Sequence, residues 1–146
     1  MIAVTLPVLD DTVSAAEAWE TVRRHRRRIV LTRSGDDFWL HEDEDIAAAM
    51  RHSPETRLNE VRRRRLTVLS APGGDADIDA LLRRHGPYTV VASTAPIDRL
   101  LHSFVDPTGP LAEVEATAYH CPDDPNEVST KPIFCNIHQK NYVKDA

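Results

Sequence analysis

The hydrophobic positions of the chain alternate, then recur at helical spacing, then alternate again, and this order predicts an α/β fold. Residues 2–9, IAVTLPVL, alternate weakly and read as a short strand. Its Pro7 suits a strand end or edge, because proline cannot donate to a ladder. Ser14 stands as an N-cap, with Glu17 three residues on as the capping-box acid. Behind it Ala15, Ala18, Trp19 and Val22 share one helical face. IVLT at 29–32 predicts a buried strand, Ser34 to Asp37 a turn, and FWLH at 38–41 a second strand antiparallel to the first. The acids Glu42 to Asp45 then open a helix, IAAAMRH, where negative charge favours the first turn.

After a polar linker at 53–65 the pattern restarts. LTVLSA at 66–71 predicts a strand, Pro72 to Asp75 a turn, ADIDALLRRH a helix stopped by Gly86 and Pro87, and YTVVAST another strand. A last helix is expected at about 96–104, PIDRLLHSF, with Pro96 near its first turn. Residues 6–34 and 66–94 share eight identities in 29 positions: Leu6, Val8, Leu9, Ala16, Arg23, Arg24, His25 and Val30 with their partners sixty residues later. The second copy is shorter and has no counterpart of FWLH. Duplication predicts two repeated β-α-β-β-α units, at about 1–55 and 62–106, packed as one body over residues 1–108.

The first copy, LPVLDDTVSAAEAWETVRRHRRRIVLTRSGDDFWLHEDEDIAAAM, resembles one unit of a tandem CBS-domain pair, or Bateman module. The likeness covers residues 4–50 well and 66–103 loosely. It implies paired units packed through their sheets, clefts for adenine nucleotides, and pairing of the whole module as a homodimer. In that family an acid at the position of Asp45, and of Asp98 in the second copy, holds the ribose hydroxyls. The chain departs from the pattern at three points. Glu42 and Ala95 stand where a Ser or Thr precedes the acid, Asp36-Asp37 replaces a glycine, and an acidic rim at 42–45 repels phosphate. Asp45 and Asp98 also read simply as helix-start acids.

Composition changes near residue 100. Residues 1–100 hold 15 Arg and no Lys against 16 acids, and residues 101–146 hold 3 Lys and no Arg against 7 acids. LAEVEATAYHC at 111–121 predicts a strand in this acidic tail. CPDD at 121–124 and CNIH at 135–138 follow, each with ligand-type residues three apart, and PNEVSTKPIF between them suits a β-hairpin. Cys121, Asp124, Cys135 and His138 make a candidate four-ligand metal set, with His120 as the alternative to Asp124. The segment, about 109–146, resembles a zinc ribbon with one cysteine replaced by an acid. Four ligands imply structural zinc, and three leave a position for water activation. The alternative for both cysteines is a buried or free thiol.

Other features narrow the function. HExxH, GxSxG and P-loop patterns are missing from the sequence. No apolar run is long enough to span a bilayer, and the N-terminus carries no cleavage signature, so the expected place is the cytoplasm. Arginine runs at 23–28 and 62–65 suggest phosphate contacts, but a net charge of −5 and 5% aromatics weigh against nucleic acid. The expectation is a non-catalytic regulatory or interaction module that binds a protein partner. It senses an adenine nucleotide in the cleft between its units and holds its tail with structural zinc. The alternatives are a nucleic-acid-binding adaptor using the arginine faces and a small zinc-dependent hydrolase.

Overall fold

Strand β1 (Ile2–Asp10) changes partner halfway, and Pro7 marks the change. In the computed structural model, which describes residues 1–70, 77–93, 100–112 and 115–145, β1 pairs antiparallel with β6 (Leu100–Val105) from Ile2 to Pro7. It then pairs parallel with β2 (Ile29–Ser34) from Val8 to Asp10. The residue without a backbone donor thus sits where one ladder gives way to the next. β3 (Asp37–Glu42), β4 (Arg64–Ser70) and β5 (Thr89–Ala92) complete a closed barrel in the order β1-β2-β3-β4-β5-β6. The α/β class expected from the sequence holds, and the closed barrel is new.

Helix α1 (Ala15–His25) joins β1 to β2, and α3 (Ile78–His85) joins β4 to β5. Helix α2 (Asp43–His52) follows β3. Ser14 Oγ accepts the Glu17 backbone N–H at 3.2 Å, so the expected cap forms. Gly35 at φ 61° opens the two-residue turn that aligns Ser34 with Asp37 in the β2–β3 hairpin. Gly86, at φ 94°, stops α3, and its N–H bonds the Leu82 carbonyl.

Alternation along the strands sorts the core into two layers. Val4, Leu6, Val8, Ile29, Leu31, Phe38, Leu40, Leu66, Val90, Leu101 and Val105 form one cluster, to which Leu111 adds. Leu9 and Val30, from the other face, meet Trp19 and Val22 of α1 and Ile46 and Met50 of α2. Leu58 and Val61 enter the same outer cluster, so the stretch at 53–65 is an anchored connection with a 3₁₀ turn at Leu58–Glu60. A plain polar linker was expected there.

Both halves run strand, helix, strand, strand, and in both the first two strands are parallel and the next two antiparallel. β6 therefore takes the place after β5 that the sequence left empty. It also replaces the helix expected at about 96–104, whose first residues lie outside the described residues. Leu100, Leu101 and Phe104 fit helical spacing, but Leu101, Ser103 and Val105 are buried in alternation. The antiparallel ladder to β1 decides between the two, because only a strand there closes the barrel. Among the described residues no helix follows β6 as α2 follows β3.

The sixty-residue offset also fails in detail. Val8 pairs with Leu31, and Val68 with Val90. If Val8 matches Val68, the partner of Val90 is Leu31 and not Val30. Val30 packs under the helices while Val90 belongs to the other cluster. A one-residue slip puts a side chain on the opposite face.

The tail carries β7 (Tyr119–Cys121), β8 (Asp124–Ser129), β9 (Phe134–Cys135), β10 (Lys140–Asn141) and β11 (Val143–Lys144). They form a three-stranded sheet, β11-β7-β8, and a two-stranded one, β10-β9. Two expectations change here. Among the described residues the strand predicted at 111–121 is confined to its last three, and a 3₁₀ turn occupies Pro110–Ala112. The segment at 125–134 is no hairpin, because β8 and β9 belong to different sheets. The tail docks on the helices: Ala116 and Val128 join the α1–α2 cluster. An Arg51 guanidinium nitrogen donates to the Val128 carbonyl at 2.7 Å, and Arg23 pairs with Asp145 at 2.7 Å.

Candidate functional site

The two cysteine turns meet face to face. Residues 121–124 link β7 to β8, and residues 135–139 link β9 to β10, closed by Gln139 at φ 55°. Each sulfur sits at the head of its turn; the backbone N–H groups of Asp123 and Asp124 pull the pKa of the Cys121 thiol down, and those of His138 and Ile137 pull that of Cys135 down. The His138 N–H lies 3.4 Å from Cys135 Sγ. Turns that aim two N–H groups at a sulfur favour its thiolate.

His138 completes the group. Its Nδ1 is 3.5 Å from Cys121 Sγ and 3.3 Å from Cys135 Sγ. The donor atoms of Cys121, Cys135 and His138 lie within 4.8 Å of one another, so the three can hold a metal ion. Both cysteines are buried and unbridged. Burial pushes the Cys121 thiol up, against the pull of its N–H donors. The His138 N–H outweighs burial at Cys135 and draws that thiol below its ordinary value. The bond to Cys135 in turn raises His138. Two sulfurs and an imidazole suit a borderline-soft divalent ion, zinc above calcium or magnesium. Tyr142 packs beside the sulfurs and donates its hydroxyl to Glu127 at 2.7 Å.

The expected fourth ligand is not part of this group. Asp124 heads β8 and its Oδ1 accepts the Asn126 N–H at 2.9 Å, so the carboxylate caps its own strand. His120, the alternative, is paired through Nδ1 with Asp145. Asp123 pairs with Lys140 at 2.9 Å. The negative charges of Asp123 and Asp124 still reach His138 and help raise its pKa.

A second feature was hidden in the sequence. Leu40, Glu42, Asp45, Arg62, Arg63 and Arg64 line one hollow of about 270 Å³. Asp45 comes from the first turn of α2. The arginines arrive because β4 pairs with β3, placing Arg64 opposite Leu40. The acidic rim expected to repel phosphate therefore shares its hollow with three guanidinium groups. Arg63 stacks 4.0 Å above the Trp39 ring and stands 3.7 Å from the Asp11 carboxylate. Arg64 stacks 4.2 Å over Tyr88. Asp98, the other proposed ribose contact, lies outside the described residues. The basic run at 62–65 was visible in the sequence, but its position opposite Asp45 depends on strand pairing.

Two buried titrating groups flank this region. His41 Nδ1 bonds the Arg62 carbonyl at 3.1 Å and its Nε2 meets Thr32 Oγ1 at 2.9 Å. A carbonyl only accepts, so Nδ1 carries the proton and Nε2 accepts from the threonine. Burial pushes His41 down to about 4, which keeps it neutral near pH 7. Burial pushes Asp43 up to about 6.

Among the described residues no helix is long and apolar enough to cross a membrane. No family model, no curated protein and no solved structure matches the chain.

Proposed function

We propose that the chain is a non-catalytic regulatory and interaction module that binds an adenine nucleotide and recruits a protein partner, with structural zinc holding its tail. The observation that carries the sensing half is the hollow where Asp45 meets Arg62, Arg63 and Arg64. It opens at the junction of β3, α2 and β4, where the first strand-helix-strand-strand half meets the second. A carboxylate suits ribose hydroxyls and guanidinium groups suit phosphate. The matching order and pairing of the two halves support reading the barrel as a degenerate pair of CBS-like units. At about 270 Å³ the hollow lies at the small end for ligand sites and suits the ribose and phosphate, with the base at its mouth.

Zinc in the tail would stabilise a segment that has little apolar core of its own. Asp123 or Asp124, turned inward from its present partner, would close a four-ligand shell. The three-donor group favours one rival reading, a small zinc hydrolase with water in the fourth position. Titration calorimetry with AMP and ATP tests the sensing role. Saturable binding that falls at least about tenfold in Arg62→Ala and in Asp45→Ala is expected. Heat-silent titrations with a well-folded, zinc-loaded protein would leave only the interaction role.

A further inference from the structure

The stretch around the second cysteine turn combines exposed apolar side chains with positive charge. Ile133, Phe134, Ile137 and Val143 are 39%, 47%, 77% and 43% exposed, and the described residues hold only two other exposed large hydrophobics, Met1 and Ile2 at the N-terminus. All four lie in residues 130–144, TKPIFCNIHQKNYVK, which contain every lysine of the chain and no acid. The arginine runs at 23–28 and 62–65 are basic and acid-free too, but neither holds an exposed large hydrophobic, so the combination belongs to this segment among the described residues.

The metal turn itself explains why Ile137 points outward. Ile137 stands in the turn between the candidate ligands Cys135 and His138, and that turn is closed by the His138 N–H 3.4 Å from Cys135 Sγ. The interior of the turn is taken by sulfur and imidazole, so an aliphatic side chain there has only solvent to enter. Exposing such residues costs free energy unless something covers them.

We propose that this turn is the docking surface for a partner protein, and that the partner supplies a segment combining acidic and aliphatic side chains. The inference rests on the metal reading above, because the bound metal is what holds the turn in shape. Charge complementarity selects acids opposite Lys131, Lys140 and Lys144. The present partners of two of these lysines do not compete strongly. Lys131–Glu44 and Lys140–Asp123 are exposed pairs of the kind that contribute little and exchange readily. Three of the four exposed apolar side chains are aliphatic, which suits a protein segment better than stacked bases.

The test is selection from a random-peptide display library on the zinc-loaded protein, with the Phe134→Ser/Ile137→Ser double variant as the counter-target. Selected peptides rich in Asp, Glu, Leu and Ile are expected. Their synthetic forms should bind at least about tenfold more weakly to the double variant, and severalfold more weakly at high salt. A Lys131→Ala/Lys144→Ala variant, whose apolar residues are intact, should also lose affinity. Enrichment of basic or uncharged peptides, no enrichment, or equal binding to both variants overturns the proposal. Binding of a fluorescent oligothymidylate that disappears in the double variant overturns it in favour of nucleic acid. A concentration-dependent dimer in sedimentation, lost in the double variant, makes the occupant a second copy and overturns it too. Elemental analysis separates the two layers of the argument. Peptide binding by a zinc-free protein refutes the metal reading alone, and zinc without peptide binding refutes the docking surface alone.

Discussion

The barrel and the tail solve the same problem by different means. The barrel closes all six strands on one another and fills its inside from alternate positions, with Leu6, Leu31 and Leu101 fully buried. Its edges disappear and its stability comes from apolar burial. The tail has strands of two to six residues and a small cluster of its own, Cys121, Cys135 and Tyr142 with Tyr119. It borrows packing from α1 and α2 through Ala116 and Val128, and its own centre is the Cys121, Cys135 and His138 group, which could hold a metal ion. A segment too small to fund a core can order its backbone around two sulfurs and an imidazole, and is then free to leave apolar residues outside.

On the proposed zinc reading, the sharpest way to break this comparison is to remove the metal. Chelation, or Cys135→Ser, should unfold the tail while the barrel persists. Structural zinc in small domains is worth on the order of 10 kcal/mol, so the effect is the largest expected. Trp19 and Trp39 are the only tryptophans, and Trp19 shares a cluster with Ala116 and Val128 of the tail, so in a Trp19→Phe background the fluorescence of Trp39 on β3 follows the barrel. Unchanged fluorescence with lost amide protection at 119–144 supports two separately stabilised regions. Joint loss of both signals would make them one cooperative unit.

The converse experiment attacks the barrel. Leu6→Ala should lower its unfolding free energy by about 3 kcal/mol, from lost burial plus the cavity left behind. Zinc content should stay the same. Reduced zinc binding in this variant would mean that the tail depends on the barrel more than its local turns suggest.

The third test uses pH and concerns the layer between the two regions. Asp43 has its folded pKa raised from 3.8 to about 6, so its contribution is fully present below pH 3.8 and is lost as pH rises through about 6. His41 has its folded pKa lowered from 6.5 to about 4, so its contribution is present above pH 6.5 and is lost as pH falls through about 4. Each shift corresponds to at most about 3 kcal/mol. The two slopes oppose each other and nearly cancel between pH 4 and 6 in the native chain. Asp43→Asn should expose the His41 slope, with stability falling as the solution is acidified. His41→Gln should expose the opposite slope. Denaturant melts of both variants across this range check the signs, and a flat profile in either removes that group from the account.

Local signals were legible wherever neighbours in sequence settle the structure. Ser14 capped its helix, Gly35 turned its hairpin and Gly86 stopped its helix, each through contacts within a few residues. The Cys135 turn was legible for the same reason, since the spacing that puts the His138 N–H 3.4 Å from Cys135 Sγ is a property of one short turn. What failed was whatever depended on pairing. LLHSFV fits a helix or a strand until β1 is beside it. Val30 and Val90 look equivalent until the ladders show that Leu31 holds the matching place.

The sequence by itself determined the α/β class, the start of α1, the stop of α3, the β2–β3 hairpin and the Cys121, Cys135 and His138 that meet in one group. These follow from backbone preferences and side-chain chemistry within one turn or hairpin. Tertiary structure alone decided the barrel closure, the face on which each valine lies, and the meeting of Asp45 with Arg62, Arg63 and Arg64. The physical reason is register: strand pairing sets which side chains share a face across tens of residues, and a period of two makes a slip of one residue as large as a reversal of inside and outside.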